Sequence, residues 1–374
     1  MKTVVDYLSD LIRIPSNSAV SNRPLVDYAS AVLDSAGWST RELPYRDPSG
    51  VEKMNLIAAP PGQDPAVRDV DLVFMCHTDT VPNASDWDAA HDPVSKNGNL
   101  HGCGACDVKG FLACLLAAVS QSPKPLPDGL RLVLTAEEEI GCIGASHLMA
   151  ENALRPQRMV IGEPTRLQPA RAGKGYCLAE ITVRGKEAHS AHPQQGVSAI
   201  FHAARLIAAI EAFAGQLASE TNSFFDPAFT TINIGLIEGG TAKNIVPGAC
   251  RFQLEWRPIP GQPPRAVLES VEEMIERLHR ADPRFDAELK PLRQQPGFET
   301  TADAALVRSV EALAGKPATS IPFGSEASIF APVAREIIVF GPGDMRTAHS
   351  SRECVALTEL DTAVSCIVSL MQAG

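Results

Sequence analysis

Over the first 170 residues, apolar positions recurring every three or four residues alternate with short, almost wholly apolar runs. The helical spacing predicts helices over about 2–13 and 24–36, the second ending at Gly37, with Pro15 between them. The runs MNLIAA (54–59), DLVFMC (71–76), LRLVLTA (130–136) and RMVIGE (158–163) predict strands, and GFLACLLAAVSQ (110–121) predicts a helix between the second and third. Strands without polar alternation are covered on both faces. Interleaved with helices, they indicate an α/β domain built on a mostly parallel sheet.

The pattern changes near Gly173. YCLAEITVRG (176–185) alternates like a half-exposed strand, and an alanine-rich helix is expected from about Ser198 to Leu217. Strands at 230–239 and 250–258, a helix at about 264–280 and a short strand at 285–291 complete β-α-β-β-α-β, the split βαβ pattern of a small α+β sandwich. From about 300 the α/β style resumes, with a helix (302–314), a strand (335–341) and a closing helix (358–372). The expectation is a discontinuous catalytic domain, 1–172 and 292–374, interrupted by an inserted lid or dimerisation domain, 173–291. QDPAVRD (63–69) and SPKPLPDG (122–129) are expected loops.

The chain has 374 residues, 45% of them hydrophobic, and a formal net charge of −11. That acidic balance argues against a nucleic-acid partner. Asp6 and Asp10 interrupt the N-terminal helix, so it lacks the uncharged core of a signal peptide, and no apolar run reaches the length of a membrane span. Nine cysteines, most inside apolar stretches, point to reduced core thiols and a cytoplasmic location. Cys103-Gly-Ala-Cys106 matches C-x-x-C, yet no thioredoxin-like helix start surrounds it and no second pair completes a Cys₄ zinc site.

Six segments concentrate carboxylates and imidazoles: CHTDTVP (76–82), HGCGACDVKG (101–110), TAEEEIG (135–141), IGEPT (161–165), GKEAHSAHP (185–193) and TAHSSRE (347–353). Oxygen and nitrogen donors are what Zn²⁺ takes, and several acidic groups suit a paired-metal hydrolytic site. His77, Glu137 and Glu163 fall just after predicted strands, where open α/β sheets bind ligands. His77 and Asp79 share a face, so Asp79 is expected to accept the ring N–H that His77 does not offer to metal. Asp107 either bridges two ions or caps the following helix. Glu137 and Glu138 are adjacent, so one can coordinate while its neighbour faces the water. Each motif alone reads more readily as a surface pair, a turn, a cap or a solvated face; their order and placement at strand ends carry the inference.

Together these segments resemble the di-zinc amidohydrolase and carboxypeptidase family, and the resemblance runs from end to end. It implies His77 and Glu163 on one zinc, Glu138 and His349 on the other, Asp107 bridging both, and a cis peptide bond after Asp107. It further implies Glu137 as general base, and His189 as an oxyanion-stabilising residue reaching into the partner subunit of a homodimer paired through the insertion. Asn244 and Arg257 would hold a substrate carboxylate, and Co²⁺ could replace Zn²⁺. His192 is read as surface or interface, and Gly239-Gly240 as a turn. Where relatives carry Gly-Arg-Gly, this chain has Gly102-Cys103-Gly104.

Within the family, GEPTRLQPARAGKG (162–175), GGTAKNIVPG (239–248), FGSEAS (323–328) and GPGDMRTAHSSRE (341–353) look most like the branch that deacetylates N²-acetylornithine. Glu326 is then a candidate for the substrate's distal ammonium, or else half of a structural ion pair. A desuccinylase of N-succinyl-diaminopimelate, another aminoacylase, a metal-binding module without catalysis and a thiol-redox protein are the alternatives. The partner expected is a small N-acyl amino acid, with neither membrane nor nucleic acid.

Overall fold

The structure is a computed structural model that describes residues 2–84, 87–123 and 125–373; Lys124, in the expected loop 122–129, and both terminal residues lie outside it. Its contacts divide the chain into two compact units, Met1–Ala172 with Glu299–Thr319 and Ser325–Gly374, and Gly173–Phe298 with Ser320–Gly324.

In the first unit the large sheet runs in the order Ser39–Arg46, Glu52–Ala59, Leu130–Thr135, Asp69–His77, Arg155–Ile161, Glu336–Val339 and Ala170–Gly173. Its centre is parallel: Asp69–His77 lies between Leu130–Thr135 and Arg155–Ile161, and Glu336–Val339 follows the latter. The flanks are antiparallel. Central residues such as Val73, Phe74, Met75 and Val133 are fully buried, which is why their sequences do not alternate.

The helix Lys109–Gln121 is buried from Lys109 to Val119 and packs with Val4–Ile12 and Leu357–Ala373 in one core. Covering each of Phe111, Leu112, Leu115 and Leu116 contributes roughly 1.5–3 kcal/mol before entropy is subtracted. Val4–Ile12 starts on a capping box, with Thr3 Oγ1 accepting from Asp6 N–H and the Asp6 carboxylate from Thr3 N–H.

The strand Ser39–Arg46 was not expected. STRELPYR carries Pro44 and buries only Leu43, as an edge strand can, and it pairs in register with Glu52–Ala59. A small sheet of Val94–Lys96, Asn99–His101 and Cys354–Ala356, and the helix Ile143–Ala150, are further additions.

The second unit has the order strand Tyr176–Arg184, helix Ala199–Leu217, strands Thr231–Gly239 and Ala249–Arg257, helix Arg265–Ala281 and strand Asp286–Gln295. Its four strands are antiparallel, with Thr231–Gly239 and Asp286–Gln295 at the edges. Cys177, Ala179, Ile181 and Val183 form the buried alternate positions of the first strand. The last strand continues to Gln295, past the expected end at 291, because its pairing with Tyr176–Arg184 continues to Tyr176. One expectation needs correcting: Ala199–Leu217, at 19 residues, is long and apolar enough to cross a membrane by length and composition. Ala199, Ala203, Leu206 and Ile210 on one of its faces belong to this unit's core.

Candidate metal centre

Three parallel strands deliver side chains to one end of the first unit's sheet. Asp69–His77 ends on His77, Arg155–Ile161 is followed by Glu163, and Leu130–Thr135 leads into Glu137-Glu138-Glu139. Asp107 enters from the loop before the Lys109 helix, and His349 from the loop after Glu336–Val339.

The Asp107 carboxylate lies between two imidazoles. Its Oδ1 is 3.2 Å from His77 Nε2 and its Oδ2 is 3.2 Å from His349 Nε2. His77, Asp107 and Glu163 bring one donor atom each within 4.8 Å of one another, and Asp107, Glu139 and His349 do the same. The helix begins with Val108 at its N-cap and no side-chain cap bond, so Asp107 does not serve as the cap. The Asp107–Val108 peptide bond is cis.

Glu353, which sequence reasoning left without a role, holds the Asp107 loop. Its buried carboxylate accepts from the backbone N–H groups of Gly104, Cys106 and Asp107, each at 3.1 Å. Gly104 adopts φ +76°, and a Cβ there would stand 2.8 Å from Lys109 Cδ, so the turn requires glycine. Gly343 serves the other loop similarly, with φ +96° and Cys106 Cβ only 2.5 Å from where its own Cβ would stand.

Two expectations change at the glutamate run. Glu139, not Glu138, meets His349, at 3.2 Å, and shares the second donor group. Glu137 is not poised toward the donors: Tyr45 O–H donates to its Oε2 at 2.9 Å and Lys53 Nζ lies 3.7 Å from its Oε1. The cause is local. Glu137 has φ +59°, a left-handed conformation that costs a non-glycine residue about 1–2 kcal/mol. The chain then turns back through hydrogen bonds from Gly141 and Cys142 N–H to Glu138 O. Three consecutive glutamates carry no signal of which one the turn aims inward.

Asp79 also departs from expectation. His77 Nδ1 is 3.0 Å from the Asp79 carbonyl, which can only accept, so that nitrogen carries the proton and Nε2 faces Asp107. The Asp79 carboxylate is farther away, at 3.7 Å. It accepts instead from Glu138 N–H at 3.0 Å, Glu139 N–H at 3.3 Å and Ser18 Oγ at 2.6 Å. Its physical effect is on the backbone of the glutamate turn.

Loss of water around Glu138 raises its carboxyl to about 8, with Glu139, Glu326 and Asp79 adding to the shift and His77 opposing it. Burial, then Asp107 and Glu138, lift Glu163 well above the usual range. Burial works against a charged His77 ring, yet the hydrogen bond to Asp107 and the nearby carboxylates raise it. Hydrogen bonds to Asp107 and Glu139 raise His349 to about 10. Carboxylates this crowded retain protons unless a cation replaces them. Oxygen and imidazole donors in two groups sharing one carboxylate fit a pair of divalent ions.

Glu326 is 1% exposed, and burial pushes its carboxyl to about 7. Among the described residues it forms no ion pair, so the structural alternative expected for it does not hold. Cys103 and Cys106 are free and buried; burial raises both thiols, and they lie 3.6 Å from Thr80 Oγ1 and 3.7 Å from Thr347 Oγ1. These are packed thiols rather than a redox pair.

The remaining candidates lie in the second unit. His189 is exposed, and its Nδ1 accepts from Ala191 N–H at 3.1 Å, with the His192 ring 6.5 Å away. Asn244, also exposed, accepts the Ser190 N–H on its carbonyl. Arg257 ends its strand with Nε donating to Glu255 at 2.8 Å and its guanidinium over the Tyr176 ring at 4.5 Å.

Residues 73–373 match the profile of the peptidase family M20/M25/M40. An acetylornithine deacetylase of Myxococcus xanthus is 44% identical over 94% of this chain and 92% of its own length. One from Proteus mirabilis is 31% identical over 96% and 94%. Among solved structures, a tripeptidase from Staphylococcus aureus matches with a TM-score of 0.78 at 22% identity, covering 99% of this chain and 97% of its own. A dinuclear metal-binding peptidase of the M20 family from Bacillus subtilis matches with a TM-score of 0.67 at 15% identity, covering 99% and 96%.

Proposed function

This chain belongs to the peptidase family M20/M25/M40, and from that premise we propose that it hydrolyses the amide bond of N-acyl amino acids, N²-acetyl-L-ornithine foremost. Two zinc ions, replaceable by cobalt, would be held by His77 and Glu163 on one side and by Glu139 and His349 on the other, with Asp107 shared. The observation that carries this reading is the Asp107 carboxylate spanning the two imidazoles at 3.2 Å each. Such ions, when bound, acidify a water and polarise a substrate carbonyl.

Glu138 then replaces Glu137 as general base. It adjoins the Glu139 ligand, and Asp79 fixes the backbone of both. It takes a proton from the attacking water and passes it to the leaving amine. A metal-binding module without catalysis would have no use for a carboxylate beside the ligands, which favours the enzyme reading.

Arg257 and Asn244 are proposed to hold the substrate carboxylate, and His189 to stabilise the oxyanion across a homodimer in the cytoplasm. Support for a dimer comes from exposed apolar residues on the second unit: Leu236 and Ile237 on the edge strand Thr231–Gly239, and Phe201, 71% exposed, on the long helix.

Glu138→Gln is expected to keep both ions and lose about 10²–10⁴-fold in kcat on N²-acetylornithine. Mixing it with inactive His189→Ala subunits should restore up to roughly a quarter of the activity under random exchange into two-fold dimers. Near-normal turnover by Glu138→Gln sinks the assignment of the base. Absent recovery, despite demonstrated subunit exchange, sinks the role of His189 across subunits.

A further inference from the structure

Lys53 is an ammonium inside the first unit, 1% exposed. It lies opposite Tyr45 in the antiparallel pair of Ser39–Arg46 and Glu52–Ala59. Directly opposed residues project from the same face, so the two side chains rise together toward the glutamate turn. Tyr45 donates to Glu137 Oε2 at 2.9 Å, and Lys53 Nζ lies 3.7 Å from Glu137 Oε1. The Tyr45 ring is itself clamped, stacked on His147 with centroids 4.0 Å apart.

Lys53 also holds the loop that carries Ser18. It donates to Ser18 O at 2.6 Å and Val20 O at 2.8 Å, with Asp47 at 3.7 Å. Ser18 Oγ donates to Asp79, whose carboxylate holds Glu138 N–H and Glu139 N–H. Ser18 N–H and Thr80 O, and Thr80 N–H and Ser16 O, tie the same loop to the turn after His77. One buried cation thus joins two routes to the same two residues, one through Glu137 and one through Ser18 and Asp79.

We propose that Lys53 is a positioning residue for hydrolysis, fixing Glu138 and Glu139 through Glu137 and Asp79. This inference rests on the reading of Glu138 as base and Glu139 as metal ligand. Glu137 is then the anionic foot of the turn, held in a left-handed conformation by the Lys53–Tyr45 pair, and does not touch the reacting atoms.

The test compares Lys53→Met, Tyr45→Phe and the double variant Lys53→Met/Glu137→Gln. It reads kcat and KM on N²-acetylornithine with zinc supplied, zinc binding to the metal-free proteins by calorimetry, and folding by thermal unfolding. Lys53→Met should lower kcat about 10- to 100-fold and weaken one of two zinc sites similarly, as loss of an outer partner does, with KM within threefold. Adding Glu137→Gln should restore much of the loss by removing the unpaired buried anion, which a role in filling space would not produce. A kcat within twofold of wild type, a loss appearing in KM alone, or no restoration by the second change overturns the proposal. If Lys53→Met does not fold, Tyr45→Phe decides. A several-fold fall in kcat at constant KM supports the brace, and no change overturns it. Normal turnover by Glu138→Gln would instead defeat the underlying catalytic reading, while zinc calorimetry would still report whether Lys53 holds the turn.

Discussion

The two halves of the proposed metal centre share Asp107 but are built differently. His77 and Glu163 are 2% and 3% exposed and lie at the ends of adjacent parallel strands, His77 as the last residue of one and Glu163 just beyond the other. His349 lies on a loop with its side chain 47% exposed, and Glu139 lies on a turn. Ligands of the first kind inherit their positions from ladder hydrogen bonds already needed for the sheet. Ligands of the second kind need dedicated braces, and the structure supplies one in Asp79 under the backbone of Glu138 and Glu139. Glu353 does the same for the Asp107 loop that serves both halves. A deep half fixed by the fold and an open half fixed by side chains is a division that substitutions can probe.

Removing the shared group should have the largest effect. Asp107→Asn takes the anion from both halves, so zinc content should fall to at most one ion. Turnover should fall by more than the 10–100-fold typical of losing an outer partner. Two tightly held zinc ions in this variant, measured by elemental analysis, would mean that the halves do not depend on a common carboxylate.

The halves should then separate on losing one imidazole each. His77→Ala leaves Asp107 and Glu163 buried without their cationic or metal-holding neighbour. Breaking a buried pair costs about 3–5 kcal/mol, so urea unfolding of the metal-free variant should show a clear loss. His349→Ala removes a ring that is itself half exposed, although its partners Asp107 and Glu139 are buried, so it should cost less stability than His77→Ala while releasing the ion of the open half. Equal losses of stability in the two variants would erase the distinction between a deep and an open half.

That distinction was only partly legible in the sequence. Strand-end residues such as His77 and Glu163 follow apolar runs whose lack of alternation marks them as central strands, so their position follows from pattern. STRELPYR left no such mark, because an edge strand burying only Leu43 has no apolar period to read. The glutamate run was legible as chemistry and illegible as geometry. A positive φ at Glu137 decides which carboxylate points inward, and no neighbouring residue type announces it. Glu353 and Lys53 were missed for another reason: they act on backbone groups or on residues far away in the chain, and such contacts have no spacing.

A last expected effect concerns pH, and it tests whether the carboxylates crowd one another in the absence of ions. Glu138 at about 8 and Glu163 well above the usual range stand against about 4.3 for an unfolded glutamate. A carboxyl raised by folding costs nothing below the unfolded value, and its penalty grows as pH climbs toward the folded one. His349, raised to about 10 by Asp107 and Glu139, contributes stability below about 6.5 that is lost as pH rises toward 10. This contribution is small because the ring is half exposed. Asp107 runs the other way: hydrogen bonds from His349 and His77 outweigh burial and hold its carboxyl low, so its contribution is lost only in acid. The metal-free protein should therefore be most stable near pH 5 and lose stability steadily as pH rises to 9. Zinc should flatten that slope, because the ions hold the carboxylates ionised and the imidazoles neutral without the repulsion. Calorimetric melting from pH 5 to 9, with chelator and with zinc, reads both curves. Parallel curves would mean that the buried carboxylates are already balanced within the protein, and that the open half does not need its ion to relieve the deep one.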